Sequence, residues 1–501
     1  MRIAFCLNGP NEVNGPNVWL LRHLPLLRAL GARPEVCYLS TEPDMPCAQR
    51  DALAAQGFEV RSAKLARFTE ESVQSIVAAL GDDPPDVFVP NYSVPAYFAS
   101  RFLREAGVAT VGVLHSDDPY YHDILDAFVA GDERWRLSGV AAVSDYLMGL
   151  VRDHATANGI PAVYAPCGTP VPDRVAMRRD DGLRLLYAGR LVEHQKRVTR
   201  VARRLCSAAL ELPEVDAVIY GRGEAQDAVE AALGAFNTHG RVRLGGALPH
   251  HEMQAAMLAG HVFVLLSEFE GLSVALLEAM AAGLVPIVSP LRSGALDVVT
   301  DGETGFIVEP DDEQAFVGVV RRLARERGLW ERMSAAARNR VRHGGFTSNT
   351  CADRWFGFCR TLVGAGATLR QPVVPPIDEW ALPPRCTRPG GIEPHDRRTV
   401  DLRMLEEAAR GRPVYLWGAG SAGRTFMGSR PAWQARFAAA IDSNPARHGS
   451  NWEGLPVVSP MVLDSTRAAR PFVVIASQFH VDIAQDLEGR GFVEGLDFVA
   501  A

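Results

Sequence analysis

Ser267-Glu-Phe-Glu-Gly-Leu-Ser-Val-Ala-Leu-Leu-Glu-Ala-Met-Ala-Ala-Gly283 joins an apolar run to a helical pattern through a glycine turn. Of its carboxylates, Glu270 and Glu278 stand eight residues apart, with Gly271, Leu272 and Ser273 between them. The apolar run His261-Val-Phe-Val-Leu-Leu266 just before it predicts a buried strand. The spacing of Val274, Leu277 and Ala281 predicts a short helix after it, closed by Gly283. Glu270 then lies in the loop at the strand's carboxyl end, and Glu278 about two turns into the helix. Backbone N–H groups from Gly271 to Ser273 would face a crevice where the helix dipole favours an anion. Such a site suits a phosphorylated ligand, with the carboxylates left over for hydroxyl groups.

The same alternation of strand and helix extends in both directions. Upstream, Ile3–Leu7, Glu35–Leu39, Val87–Pro90, Thr110–Leu114 and Val140–Ser144 read as strands separated by helical patterns. A second set follows in Leu183–Ala188, Ala217–Tyr220, Val242–Leu244, Val262–Leu266 and Val285–Val288. Pro166 to Asp181, with its prolines and charges, reads as the link between them. The fold class expected is α/β, with two doubly wound Rossmann-like domains, 1–168 and 169–345, facing across a cleft at the carboxyl ends of their strands.

Residues 366–397 hold seven prolines between Pro372 and Pro394, and read as a stiff linker or arm. Residues 398–501 predict a third, small α/β Rossmann-like module. Its strand Pro413–Trp417 runs into Gly418-Ala-Gly420-Ser-Ala-Gly423, and its second strand Ala438–Ile441 ends in Asp442. A strand, a Gly-x-Gly-x-x-Gly turn and an acid at the end of the next strand form the dinucleotide fingerprint. Gly418, Gly420, Gly423 and Asp442 are therefore candidates for a second site, for a nucleotide or NAD-like ligand. The competing reading gives the glycines to tight helix–strand packing. Phe472–Ala476 and a helix near His480–Arg490 complete the module.

At 501 residues, 47% apolar and 22% charged, the chain has room for two or three domains, and a formal charge of −7 argues against nucleic acid as a partner. No apolar run reaches the roughly 18 residues of a membrane span. Met1-Arg-Ile-Ala-Phe-Cys-Leu7 reads as a first strand and not as a leader. Eight scattered cysteines without a Cys-x-x-Cys pair suit free thiols in a reducing cytoplasm. Peripheral contact with the inner face of a membrane stays open. Only Lys64 and Lys196 are lysines among 52 basic residues. Lys196 follows the strand Leu183–Ala188, in Gly189-Arg190-Leu-Val-Glu-His-Gln-Lys196, where a compact ammonium suits a phosphate.

Taken together, the Glu-x7-Glu stretch, Pro286-Ile-Val-Ser289, Ser293-Gly294 and Asp301-Gly-Glu-Thr-Gly-Phe-Ile-Val-Glu-Pro310 resemble retaining glycosyltransferases of family 4, which have the two-domain GT-B fold. The resemblance implies that Glu270 contacts the donor sugar and Glu278 the ribose hydroxyls. It places Arg190 and Lys196 on the nucleotide diphosphate, and His115 beside the donor sugar. Gly15, Gly189, Gly221, Gly223, Gly271, Leu272 and Ser273 fall on its glycine turns and donor loop, and Arg243 and Leu244 near the base. It also implies that the final helix, near Thr347–Val363, crosses back to the first domain. The chain departs from the pattern at Leu266 (usually Pro), His261 (often an acid), Asp297 (commonly Glu) and Arg197 (usually Gly).

The expectation is a metal-independent, retaining transfer of sugar from a UDP- or GDP-linked donor to a hydroxyl acceptor. That acceptor would be a glycan, a lipid-linked sugar or a small molecule, as in polysaccharide biosynthesis. No Asp-x-Asp is present to hold a divalent cation, and no further cofactor is implied. The rival readings are a sugar-nucleotide epimerase or a phosphorylase on the same fold, and a non-catalytic nucleotide-binding or scaffold protein working through residues 398–501.

Overall fold

The computed structural model describes residues 1–9, 15–43, 47–66, 69–178, 182–291, 293–364, 369–375, 409–420, 423–424, 426–427, 431–477, 480–493 and 496–500. The chain divides into two compact units. One is Met1–Ser40, Asp44–Ser62 and Ala79–Pro372; the other is Thr41–Pro43, Ala63–Ala78 and Val373–Ala501. Most of the proline-rich segment expected over 366–397 lies outside the described residues.

The first sheet has seven strands: β1 (Arg2–Asn8), β2 (Arg33–Ser40), β3 (Glu59–Lys64), β4 (Val87–Val89), β5 (Ala109–Leu114), β6 (Gly139–Ala142) and β7 (Ala162–Tyr164). Their order is β3-β2-β1-β4-β5-β6-β7. The second sheet has β8 (Leu183–Ala188), β9 (Val215–Tyr220), β10 (Val242–Gly246), β11 (Val262–Leu265), β12 (Val285–Val288) and β13 (Phe306–Ile307), in the order β10-β9-β8-β11-β12-β13. The central pairs of both sheets run parallel. Strand order reverses beside β1 and again beside β8, so each sheet opens a crevice at its carboxyl edge. This is the doubly wound α/β architecture expected from the alternation. β3, β7 and β13 escape a reading by hydrophobic pattern: β3 is a polar strand with one buried residue, and the other two span three and two residues.

Each central strand is buried on both faces, which explains its continuous apolar run. One core runs from Phe5, Trp19 and Val113 on through Leu265, Leu276 and Met280, and a second covers the far face of the second sheet around Tyr187, Leu205 and Trp330. The helix Ser348–Leu362, capped by the Thr347 hydroxyl, packs back on the first sheet. Its Trp355 ring lies 5.4 Å from Trp19. A methyl at Gly139 in β6 would stand 2.7 Å from Leu362 and 2.9 Å from Phe358.

The remaining sheet combines β14 (Val414–Trp417), β15 (Phe437–Ile441), β16 (Asn451–Trp452), β17 (Leu455–Val458), β18 (Phe472–Ile475) and β19 (Phe498–Ala500) in the order β16-β17-β15-β14-β18-β19. Its pairs are parallel except β16–β17, a short hairpin. The sequence pattern shows only β14, β15 and β18, because β16 and β19 span two and three residues and β17 carries an exposed proline and is only half buried. Apolar side chains cover both faces. Among the described residues no helix is long and apolar enough to cross a membrane.

Candidate active site

The carboxyl ends of β8 and β11 carry the charged centre. From β8 the chain turns at Gly189-Arg190 and enters a single helical turn, Glu193–Lys196. Arg197 sits at φ 49, in the left-handed region, before the helix Val198–Glu211 begins. This accounts for the glycine usual at position 197, which would carry no strain where Arg197 does. The Arg197 guanidinium pairs with Glu268. Lys196 forms an ion pair with Glu270, whose side chain is 8% exposed. The Ser267 hydroxyl donates a second bond to Glu270 Oε1, at 2.8 Å.

Gln195 ties the two loops together. Its Oε1 accepts from the Arg190 guanidinium at 2.7 Å, its backbone carbonyl accepts from Glu268 N–H at 2.7 Å, and its Nε2 donates to the Phe269 carbonyl at 3.3 Å. Arg190 itself is exposed. The glycines of the neighbouring turns serve close approach. A methyl at Gly221 would stand 1.9 Å from the Gly189 carbonyl oxygen, and one at Gly223 would stand 2.2 Å from that of Leu191. The β8 and β9 turns therefore pack backbone against backbone. Arg243 and Leu244 lie on β10, one exposed and the other part-buried.

The donor loop 267–273 is clamped on two sides. Gly294 N–H donates to the Gly271 carbonyl at 2.6 Å. On the other side a methyl at Gly271 would stand 1.9 Å from the His115 carbonyl oxygen. Gly271 thus brings the second sheet's loop onto the end of β5. Ser273 caps the helix Val274–Ala282 by accepting from Leu276 N–H at 3.4 Å, and Leu272 is buried beside it. Glu278, in the second turn of that helix, is held by Arg22 from the helix Gly15–Ala29, which begins at exposed Gly15.

His115 Nε2 lies 2.8 Å from Asn91 Oδ1, and burial lowers the pKa of the ring to about 3. The ring stands edge-on to Trp19 at 5.3 Å and to Tyr121 at 6.1 Å. Asp297, where the pattern commonly has Glu, accepts from Asp145 N–H at 2.9 Å and from the Tyr164 hydroxyl at 3.0 Å. It is a clasp onto the β7 side of the first sheet. Burial raises its pKa.

The structure therefore brings Lys196, Glu270, Gly271 and His115 to one place, with Arg190 linked through Gln195 and Glu278 engaged by Arg22. Sequence reasoning did not single out Asn91, Arg22, Trp19 or Gln195. Asn91 alone left a signal, an Asn-Tyr-Ser turn at the end of a predicted strand.

In the second compact unit, the Gly418 turn has its own geometry. A methyl at Gly418 (φ 133) would stand 2.2 Å from the Ala476 carbonyl oxygen, and one at Gly423 would stand 2.1 Å from the carbonyl oxygen of Gly418. Gly420 faces open space. Asp442 accepts from Asn444 N–H at 2.8 Å and from Arg447 at 2.7 Å.

Comparison with known proteins gives the site a context. The family described as Glycosyl transferases group 1 matches residues 173–340, which include Arg190, Lys196, Glu270 and Glu278. An alpha-D-kanosaminyltransferase of Streptomyces kanamyceticus is 29% identical over 158 residues, 32% of this chain and 40% of that protein. A putative colanic acid biosynthesis glycosyltransferase of Escherichia coli K12 is 27% identical over 257 residues, 48% of this chain and 61% of its own. The chain thus spans less than two thirds of the length of these relatives. Among solved structures, the pneumococcal O-GlcNAc transferase GtfA, crystallised with UDP and GlcNAc, superposes with a TM-score of 0.59 at 12% identity, over 73% of this chain and 99% of that one. The fold is that of the GT-B glycosyltransferases.

Proposed function

We propose that the protein is a retaining glycosyltransferase that moves a sugar from a nucleotide-sugar donor to a hydroxyl acceptor. The observation that carries this reading is the Lys196–Glu270 pair at the strand ends of the second sheet, in a loop that Gly271 presses onto His115 of the first. Relatives that match this segment are sugar transferases, and GtfA was crystallised with UDP, which favours a uridine diphosphate leaving group.

Cleavage of the anomeric carbon–oxygen bond builds negative charge on the departing diphosphate. Lys196 supplies a point charge close to it, and Arg190 a second one, steadied by Gln195. In the ligand-free state Glu270 neutralises Lys196. When donor enters, the ammonium turns to phosphate and Glu270 takes the sugar hydroxyls. Glu278 takes the ribose once Arg22 yields it. His115, neutral at physiological pH, accepts a hydrogen bond from the sugar without adding charge. The acceptor hydroxyl attacks from the face the diphosphate leaves, and a diphosphate oxygen takes its proton, so the anomeric configuration is kept. The cationic groups around the phosphate do the work of a divalent metal.

The C-terminal module enters this function as a packed accessory. Gly418 and Gly423 are accounted for by close backbone approach, and Asp442 by Asn444 and Arg447.

Calorimetry with UDP, GDP, ADP, dTDP and CMP tests the donor site. One nucleotide binds the wild type, and the Lys196→Ala variant loses it. Proton NMR of the product reports the anomeric configuration, and added EDTA leaves turnover unchanged. Inversion at the anomeric carbon, or a glycosyl adduct trapped on a side chain, would overturn the mechanism.

A further inference from the structure

Asn91, just beyond β4, has a backbone conformation that glycine would hold at less cost. Its φ is 56, in the left-handed region, and the residue is fully buried. Its Nδ2 is buried and has no hydrogen-bond partner among the described residues. Both features cost stability, and both would vanish with glycine at this position. The turn does not depend on the side chain. The Tyr97 hydroxyl donates to the Asn91 carbonyl at 3.0 Å, and Val113 N–H donates to that same hydroxyl at 3.2 Å. Among the described residues the carboxamide makes one hydrogen bond of its own, Oδ1 to His115 Nε2 at 2.8 Å.

A carboxamide oxygen only accepts, so the proton of the neutral ring sits on Nε2 and the lone pair on Nδ1. Among the described residues no other side chain hydrogen-bonds the ring. Trp19 and Tyr121 confine it edge-on, and the His115 carbonyl lies against Gly271.

We propose that Asn91 is a positioning residue that fixes His115 in the Nε2–H tautomer, so that Nδ1 accepts a hydroxyl hydrogen of the transferred sugar. This rests on the reading that His115 borders the donor sugar. Strain and an unmet amide at one buried residue are the expected cost of a group kept for function and not for the fold.

The test uses the full chain as wild type, Asn91→Gly and Asn91→Asp. Histidine-selective 15N spectra of the wild type show His115 as a neutral Nε2–H ring from pH 8 down to pH 5. In Asn91→Gly the tautomers mix, and kcat falls by about 10- to 100-fold with donor KM little changed. The melting temperature of this variant holds or rises. Asn91→Asp keeps the acceptor oxygen but sets a carboxylate on the ring, so His115 ionises at higher pH and kcat gains a new acid limb. The ionisable groups on the elements around the ring are Arg22 and His23 of the Gly15–Ala29 helix, Asp117, Asp118, Tyr121 and His122 beyond β5, and Lys196 and Glu270 at the donor loop. Burial holds His23 at about 3 and raises Tyr121, so neither titrates in the window where the new limb is read.

Mixed tautomers in the wild type, a His115 titration near pH 6.5, or wild-type kcat in Asn91→Gly would overturn the proposal. So would a parallel loss of melting temperature and kcat, which marks a structural role. Should the wild type transfer no sugar from any donor, the functional reading fails, while the spectra still decide the Asn91–His115 link.

Discussion

Gly271 is the point where the two halves of the site meet, and Gly271→Ala tests that geometry directly. The added methyl would stand 1.9 Å from the His115 carbonyl oxygen, 2.5 Å from its carbonyl carbon and 2.9 Å from Val143. Carbon and oxygen in contact need more than 3 Å, and the obstacle is backbone at the end of a buried strand. The His115 side must therefore retreat by about 1 Å, or the donor loop must shift by as much. Such overpacking costs about 1–3 kcal/mol of stability. The cost to chemistry is larger, because a displacement of about 1 Å between reacting groups is worth about 10²-fold in rate. Lys196 and Arg190 lie on the β8 turn, away from the contact, so nucleotide affinity falls by less than about threefold. Steady-state kinetics with calorimetry on the same preparation separates these effects. Gly318→Ala, on an open helix position with nothing within 4 Å, serves as the control and stabilises by about 0.5–1 kcal/mol. If kcat/KM of Gly271→Ala stays within about threefold of wild type, the loop and His115 do not act together and the reading of the cleft is wrong.

Four further outcomes follow from the geometry. Lys196→Met strands a buried Glu270 and costs about 3–5 kcal/mol in urea unfolding, whereas Lys196→Met with Glu270→Gln regains most of that stability but no turnover. Arg22→Met removes the ion pair on Glu278 and tightens nucleotide binding by about two- to fivefold in calorimetry; weaker binding would place Arg22 on the donor instead. Arg197→Gly relieves a left-handed residue and raises stability by up to about 1 kcal/mol despite losing the Glu268 pair, while Arg197→Val lowers it. Burial lowers the pKa of His23 to about 3 and of His261 to about 4. The unfolded chain takes up protons on both below about pH 6.5 while the folded chain does not, so their contribution is full above that pH and is lost on acidification towards 3–4. Thermal melts from pH 7 to pH 5 should lose about 2 kcal/mol per histidine, and His23→Gln should flatten the slope.

The two doubly wound sheets were legible because their central strands are buried on both faces and so write continuous apolar runs. Leu183–Ala188 and Val285–Val288 were read to the residue. The polar strand Glu59–Lys64 and the two-residue Phe306–Ile307 were not, since a strand that buries one side chain or spans one pleat leaves no periodicity. Glycines announced close approach but not their partners. Gly271 and Gly294 stand out in the sequence, yet that one meets His115 and the other meets Gly271 is visible only in three dimensions. Asn91 gave only a turn signal, because what distinguishes it is a backbone angle and one hydrogen bond to a residue 24 positions away.

Legible in the sequence were the central strands, the strand-end loops and the chemical types gathered there: one of only two lysines, two carboxylates astride a glycine turn, a histidine at a strand end. Local periodicity and turn chemistry act over a few residues and can be read from them. Which charge meets which is visible only in three dimensions. Lys196 lies 74 positions from Glu270, and Arg22 lies 256 positions from Glu278. Those pairings are set by how two sheets close a cleft, a matter of packed volume and backbone contact that no stretch of sequence contains.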